Sequence, residues 1–174
     1  MVEINCKLKK IMKTKITLFL MLLTFISYGQ KSPPEKAEGK TKSEVTITIE
    51  YSSPRVKGRT VFGDLVPYSN VWRAGANKNT TIKFDKNVTV NGQELAAGKY
   101  GFFIIPNEDG MWTVIFNKNN DGWGSYGYKE SDDALRINVT TTTSEDSKEE
   151  LTYAVVKDEI LFSWDTTSFV LNVK

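Results

Sequence analysis

From Glu44 onward the apolar residues of this chain fall on alternate positions. Val45, Ile47, Ile49 and Tyr51 are separated by Thr46, Thr48 and Glu50, which predicts a half-buried strand with one apolar face. Thr81 to Phe84 and Val88 to Val90 are β-branched or aromatic, and Asn91-Gly92 follows them. That dipeptide is a hairpin signal, because both central positions of the turn need positive φ. Further strands are predicted at Tyr100–Ile105, Trp112–Phe116, Leu135–Val139, Leu151–Val156, Ile160–Trp164 and Phe169–Val173. Turn residues separate them: Ala97-Gly98, Pro106-Asn107, Asp109-Gly110, Asn119 to Gly122, and Ser144 to Lys148. Asp132 to Leu135 has room for one helical turn. About nine short strands, with turns every 8–12 residues or so, predict an all-β fold. The architecture expected is an antiparallel β-sandwich or jelly-roll-like domain, with a small barrel as the other solution.

Residues 52–79 break this rhythm. The stretch mixes prolines, glycines and basic residues with Phe62, Tyr68 and Trp72. It is too long for a hairpin connection and is read as one long irregular loop, of the kind that is either mobile or functional. Residues 30–43 are polar, include Pro33-Pro34, and read as a flexible leader. The fold is therefore expected to be a single domain over 44–174.

The first 29 residues read as a secretory signal peptide. Lys7, Lys9, Lys10, Lys13 and Lys15 precede an apolar run from Ile16 to Ile26, and Ser27 and Gly29 supply small residues before the break. The apolar run is about half of the ~20 residues needed to cross a bilayer, so no stable membrane insertion is expected after cleavage. Met12 is a second candidate start. The chain is expected to be exported, to the periplasm or beyond, and to be soluble once the signal is removed.

Charge changes the picture once that segment is set aside. The whole chain has 23 basic and 21 acidic residues. Removal of residues 1–29 takes away five lysines and Glu3, which leaves a slightly acidic domain of 145 residues. Nothing then argues for nucleic acid, which is bound through clustered Lys and Arg. The single cysteine, Cys6, lies in the removed piece, and the chain has no histidine. A Ser-His-Asp triad, a Cys-His pair and any zinc site held by His or Cys are excluded. No cofactor or metal is expected, and the chemistry left to an enzyme is that of carboxylates, Lys, Tyr, Ser or Thr, or of a hard metal held by oxygen ligands.

Three constellations remain. In the first, Arg55, Arg59 and Arg73 accompany Tyr68, Trp72 and Asn77. Guanidiniums bind carboxylate, sulfate or phosphate in bidentate fashion, and aromatic faces stack on sugars or cations. The structural alternative pairs each Arg with a carboxylate such as Asp64 or Asp85, buries Trp72 and uses Asn77 to cap a turn. The second is Trp123, Tyr126 and Tyr128 on a glycine-rich stretch, suited to ligand stacking, or else folded back over a sheet edge. The third is acidic: Glu108-Asp109, Glu130 with Asp132 and Asp133, and Glu145-Asp146. Asn117 to Asp121 lacks the closing Glu of a calcium loop, and acidic turns are ordinarily just solvated.

The runs Tyr51 to Arg59 (YSSPRVKGR), Val66-Pro67-Tyr68 and Val71 to Asn77 (VWRAGAN) resemble the domain of unknown function 2911 family. Leu95 to Gly101, Trp112 to Lys118 and Trp123-Gly124 match its later signatures, and Ala96 stands where many relatives have Pro. The resemblance covers most of residues 44–173. It implies an exported protein of a Bacteroidetes-type bacterium and carries no activity with it. The residues themselves favour a non-catalytic periplasmic or cell-surface binding module for a glycan or anionic small molecule. A structural partner in an envelope protein complex is the second reading, and a carboxylate-based hydrolase the third.

Overall fold

A computed structural model describes residues 32–174, in which all the regular structure is β apart from one 3-10 turn at Glu130–Asp132. The expected signal peptide lies outside the described residues. The strands are β1 (Pro34–Lys40), β2 (Thr46–Ser52), β3 (Thr80–Phe84), β4 (Val88–Val90), β5 (Gln93–Leu95), β6 (Gly98–Ile105), β7 (Met111–Asn117), β8 (Asp133–Thr140), β9 (Thr142–Val156) and β10 (Glu159–Asn172).

Two layers enclose the core. One is a six-stranded antiparallel sheet in the order β1-β2-β3-β6-β7-β8. The other is built from the β9–β10 ribbon and the β4–β5 hairpin. The two pieces of that layer join where Val90 bridges Val173 and Thr89 exchanges backbone hydrogen bonds with Lys174. The alternation read from the sequence holds: Ile47 and Ile49 of β2 are buried, while Thr48 and Glu50 face outward. Asn91 and Gly92 take positive φ of 46° and 83° and close the β4–β5 hairpin.

The core is rich in aromatic rings. Trp72 stacks on Trp164 with centroids 5.6 Å apart, Phe162 stacks on Phe169 at 4.6 Å, and Phe62 packs edge-on against Trp112 at 4.5 Å. Each such ring removes a large apolar area from water, and the edge-to-face contacts add to this.

Three expectations are corrected. Much of the polar leader is strand β1, paired along its whole length with β2 from Pro34↔Ser52 to Lys40↔Thr46. Its polar side chains fit an edge strand, where one face and one row of backbone groups meet water. The turn expected at Ser144–Lys148 lies within β9, and the two C-terminal strands are one strand, β10. Register shifts after Ser163 and Asp165 of β10 absorb the extra residues of β9, and Asp165 takes a positive φ of 53°. Those bulges imitate a turn in the sequence pattern.

Candidate functional site

The long loop is ordered by the sheet it interrupts. Trp72 pairs with Ile104 of β6 (N to O distances of 2.8 and 2.9 Å), and the same edge of β6 pairs with β3 from Thr80↔Phe102 onward. Residues 73–79 are thus an excursion out of the ladder between two points where the chain follows β6. The excursion is pinned from below. Trp72 Nε1 donates to the Gly75 carbonyl at 3.0 Å, the Tyr153 hydroxyl donates to the Ala74 carbonyl at 2.7 Å, and Thr80 Oγ1 donates to the same carbonyl at 3.0 Å. Complete burial holds the Tyr153 hydroxyl well above its usual pKa, so it stays a donor.

A second loop, between β7 and β8, folds back across the outer face of the large sheet. Asn117, wholly buried, anchors it by donating to the Lys129 carbonyl at 2.9 Å and to Asp133 Oδ1 at 2.7 Å. Tyr128 packs edge-on against Phe103 of β6, and a Cβ on Gly101 would collide with the Asn119 carbonyl. Glycine at 101 therefore permits the close approach of this loop to β6.

The two loops meet. Lys78 bridges Trp123, Asn79 N–H donates to the Gly122 carbonyl at 3.1 Å, and Gly124 N–H donates to the Asn77 carbonyl at 3.0 Å. Asn77 has φ of 60°, a conformation Asn tolerates better than most residues. Two constellations that are about fifty positions apart in sequence thus form one junction.

At that junction sits Arg73. It is half-buried, and its guanidinium has no ion pair or hydrogen bond among the described residues. Burial lowers its pKa, opposed by a lesser effect from Tyr126, but a guanidinium remains charged throughout the accessible pH range. One of its terminal nitrogens and the Tyr126 ring both flank Gly124, lying 3.9 and 3.2 Å from where a Cβ would be. Trp123 is 62% exposed and Tyr126 is 94% exposed. Three side-chain polar atoms among the described residues are buried without a partner: Arg73 Nε, Asn79 Oδ1 and Trp164 Nε1. Two of the three belong to the 73–79 excursion. A buried polar atom left unsatisfied costs about 1–3 kcal/mol.

The other candidates separate from this group. Arg55 forms an ion pair with Glu150 of β9, and Arg59 donates through Nε to the Val56 carbonyl at 3.0 Å and through a terminal nitrogen to the Arg55 carbonyl. These two pin the first half of the loop, although neither Asp64 nor Asp85 is the partner. Tyr68 is half-buried over Gly63. Trp72 is buried in the core and drops out of the candidate ligand surface. Tyr128 also leaves it. Its hydroxyl donates to Asp133 Oδ2 at 2.8 Å and accepts from Arg136 at 3.0 Å, and burial together with Asp133 pushes its pKa up to about 12.

Sequence reasoning missed the surface beside the junction. A groove of about 710 Å³ runs over the outer faces of β1, β2, β3 and β6 and ends against Lys78, Asn79 and Gly122. Its floor includes Glu50, which is ion-paired to Lys99 at 2.7 Å. That hydrogen bond and the Lys99 charge hold the Glu50 carboxyl below its usual range, the opposite of what a general acid needs. No group of three Asp or Glu side chains among the described residues is placed to hold a metal ion.

No helix among the described residues is long and apolar enough to cross a membrane. No curated protein and no solved structure gives a significant match. The model of a family described as "protein of unknown function (DUF2911)" matches residues 32–173. With nearly all of the described chain inside that match, the chain belongs to the DUF2911 family.

Proposed function

We propose that this protein is a non-catalytic binding module that takes an anionic small ligand or glycan where residues 73–79 meet residues 119–128. The observation that carries this reading is the half-buried Arg73 guanidinium with no counter-charge among the described residues, close to exposed Tyr126 across Gly124, with exposed Trp123 on the same loop. A desolvated cation without a partner is unfavourable in the free protein. A carboxylate, sulfate or phosphate would relieve that cost through charge-assisted hydrogen bonds. Exposed Trp123 and Tyr126 offer aromatic faces on which a ring would stack. The other exposed large apolar residues are Leu65 in the long loop, Met111 in β7, Val156 in β9 and Val170 in β10, and they do not recommend a protein partner.

The N-terminal pattern supports placing the module in the periplasm or at the cell surface. Export with cleavage after Gly29 gives a mature chain whose intact mass lacks residues 1–29, and a cytoplasmic protein of full mass contradicts it. Binding is tested by a thermal-shift screen of anionic metabolites and glycans. A ligand at about 100 times its Kd adds roughly 2.7 kcal/mol of stability, which a melting curve resolves. A shift lost in Arg73→Ala supports the proposal. A ligand whose shift survives in Arg73→Ala removes the site from it.

A further inference from the structure

The groove ends at the junction without including Arg73, Trp123 or Tyr126 in its lining, and the charges of the two differ. Gly122 and Lys78 line the groove, and Trp123 directly follows the one and bridges the other. At the junction end there is a guanidinium with no counter-charge among the described residues. The groove carries Glu35, Lys36, Glu50, Lys78, Lys99 and Asp121, three acids and three bases. Lys99 is paired with Glu50, and Lys36 with Glu38 at 2.5 Å. The groove is therefore polar and balanced, and it offers a run of acids no net attraction. Ser52, Thr81, Asn79 and Asn120 add hydroxyls and amides to it. Its volume lies within the roughly 300–1,000 Å³ of pockets that enclose a whole small ligand, and is far more than a lone anion fills.

We infer that the ligand is an oligosaccharide with an acid group at one end. The acid group lies on Arg73, its ring lies against Trp123 and Tyr126, and the neutral hydroxyl-rich remainder follows the groove past Lys78. This inference rests on the binding reading above and narrows it to a ligand class. A polyanionic chain is disfavoured by Glu35, Glu50 and Asp121. A neutral chain leaves Arg73 without a partner.

Calorimetry on the protein purified from cells expressing the full chain tests this. Three probes are used: glucuronic acid, xylotetraose, and aldotetraouronic acid, a xylotriose carrying one glucuronic acid. The acidic oligosaccharide is expected to bind at least tenfold more tightly than either of the others. Arg73→Met is expected to reduce it to the level of xylotetraose. Lys36→Ala, on the β1 side of the groove and outside both loops of the junction, is expected to reduce it toward the level of glucuronic acid while leaving glucuronic acid itself unchanged. Equal affinity for glucuronic acid and the oligosaccharide overturns use of the groove and leaves the anion site standing. Equal affinity for xylotetraose overturns the need for an acid. If none of the three binds but inorganic sulfate does, and Arg73→Met abolishes that binding, the saccharide is wrong and the anion site survives. If sulfate fails as well, the binding reading falls with the inference.

Discussion

Tryptophan occurs at 72, 112, 123 and 164, and the residue type alone does not say which of the four faces water. Trp72 is buried because its backbone is captured by Ile104, which turns its ring onto Trp164. Trp123 is exposed because its loop is held by neighbours on either side. Truncation separates them. Trp72→Ala is expected to cost about 3–5 kcal/mol, whereas Trp123→Ala and Tyr126→Ala should each stay within about 0.5 kcal/mol of the parent in urea denaturation. Arg73 yields a sharper expectation. Its charge is half-buried without a partner among the described residues, and methionine keeps most of its apolar stem. Arg73→Met should therefore stabilise the free protein by about 1 kcal/mol, raising Tm by roughly 3–5 °C, while losing the response to anions. A variant that melts lower would mean that Arg73 has a structural partner.

At the scale of elements, alternation located the strands of the core and was silent at the edges. β1 reads as a leader because Pro34, Glu35, Lys36 and Glu38 have no apolar face to give it away. Its pairing with β2 is a tertiary fact. Backbone amides that β1 donates to β2 should be protected from hydrogen exchange, and a freely exchanging 34–40 segment would contradict the strand. The loop between β7 and β8 depends on Gly101, which lets Asn119 lie against β6. Gly101→Ala is expected to destabilise the protein by about 1–3 kcal/mol through overpacking. It should also weaken ligand binding more than its effect on Tm explains, because the displaced loop carries Trp123 and Tyr126. Both changes can be read from one titration and one denaturation curve.

For the whole molecule, class and layering were legible because a two-layer β fold writes its inward faces into the sequence every second residue. The site was legible only as parts. Arg73 and Trp123 were each singled out, but nothing local joins them. Lys78↔Trp123 and Asn77↔Gly124 are pairings between distant segments, and the groove is a property of four strands at once. Alkaline stability also belongs to this scale. Tyr128 keeps its proton to about pH 12 in the fold, while the unfolded chain releases it near pH 10. Between these values the unfolded state binds fewer protons, so stability falls as pH rises. This contribution is intact below about pH 10 and gone above about pH 12, and it amounts to no more than about 2–3 kcal/mol. Tyr51, Tyr100 and Tyr153 are raised in the same direction, so Tyr128→Phe should make the loss between pH 10 and 12 shallower without removing it.

The central claim is that an acidic ligand binds where two distant loops meet, and amide chemical-shift mapping tests it most directly. Titration of the labelled protein with aldotetraouronic acid is expected to move resonances at residues 73–79 and 120–126, and then those of Glu35, Glu50 and Lys99 along the groove. Arg73→Met should require at least tenfold more ligand to move these resonances as far. Shifts confined instead to the small pocket around Asn91, Gly92 and Asn172, or a pattern unchanged by Arg73→Met, would contradict the account.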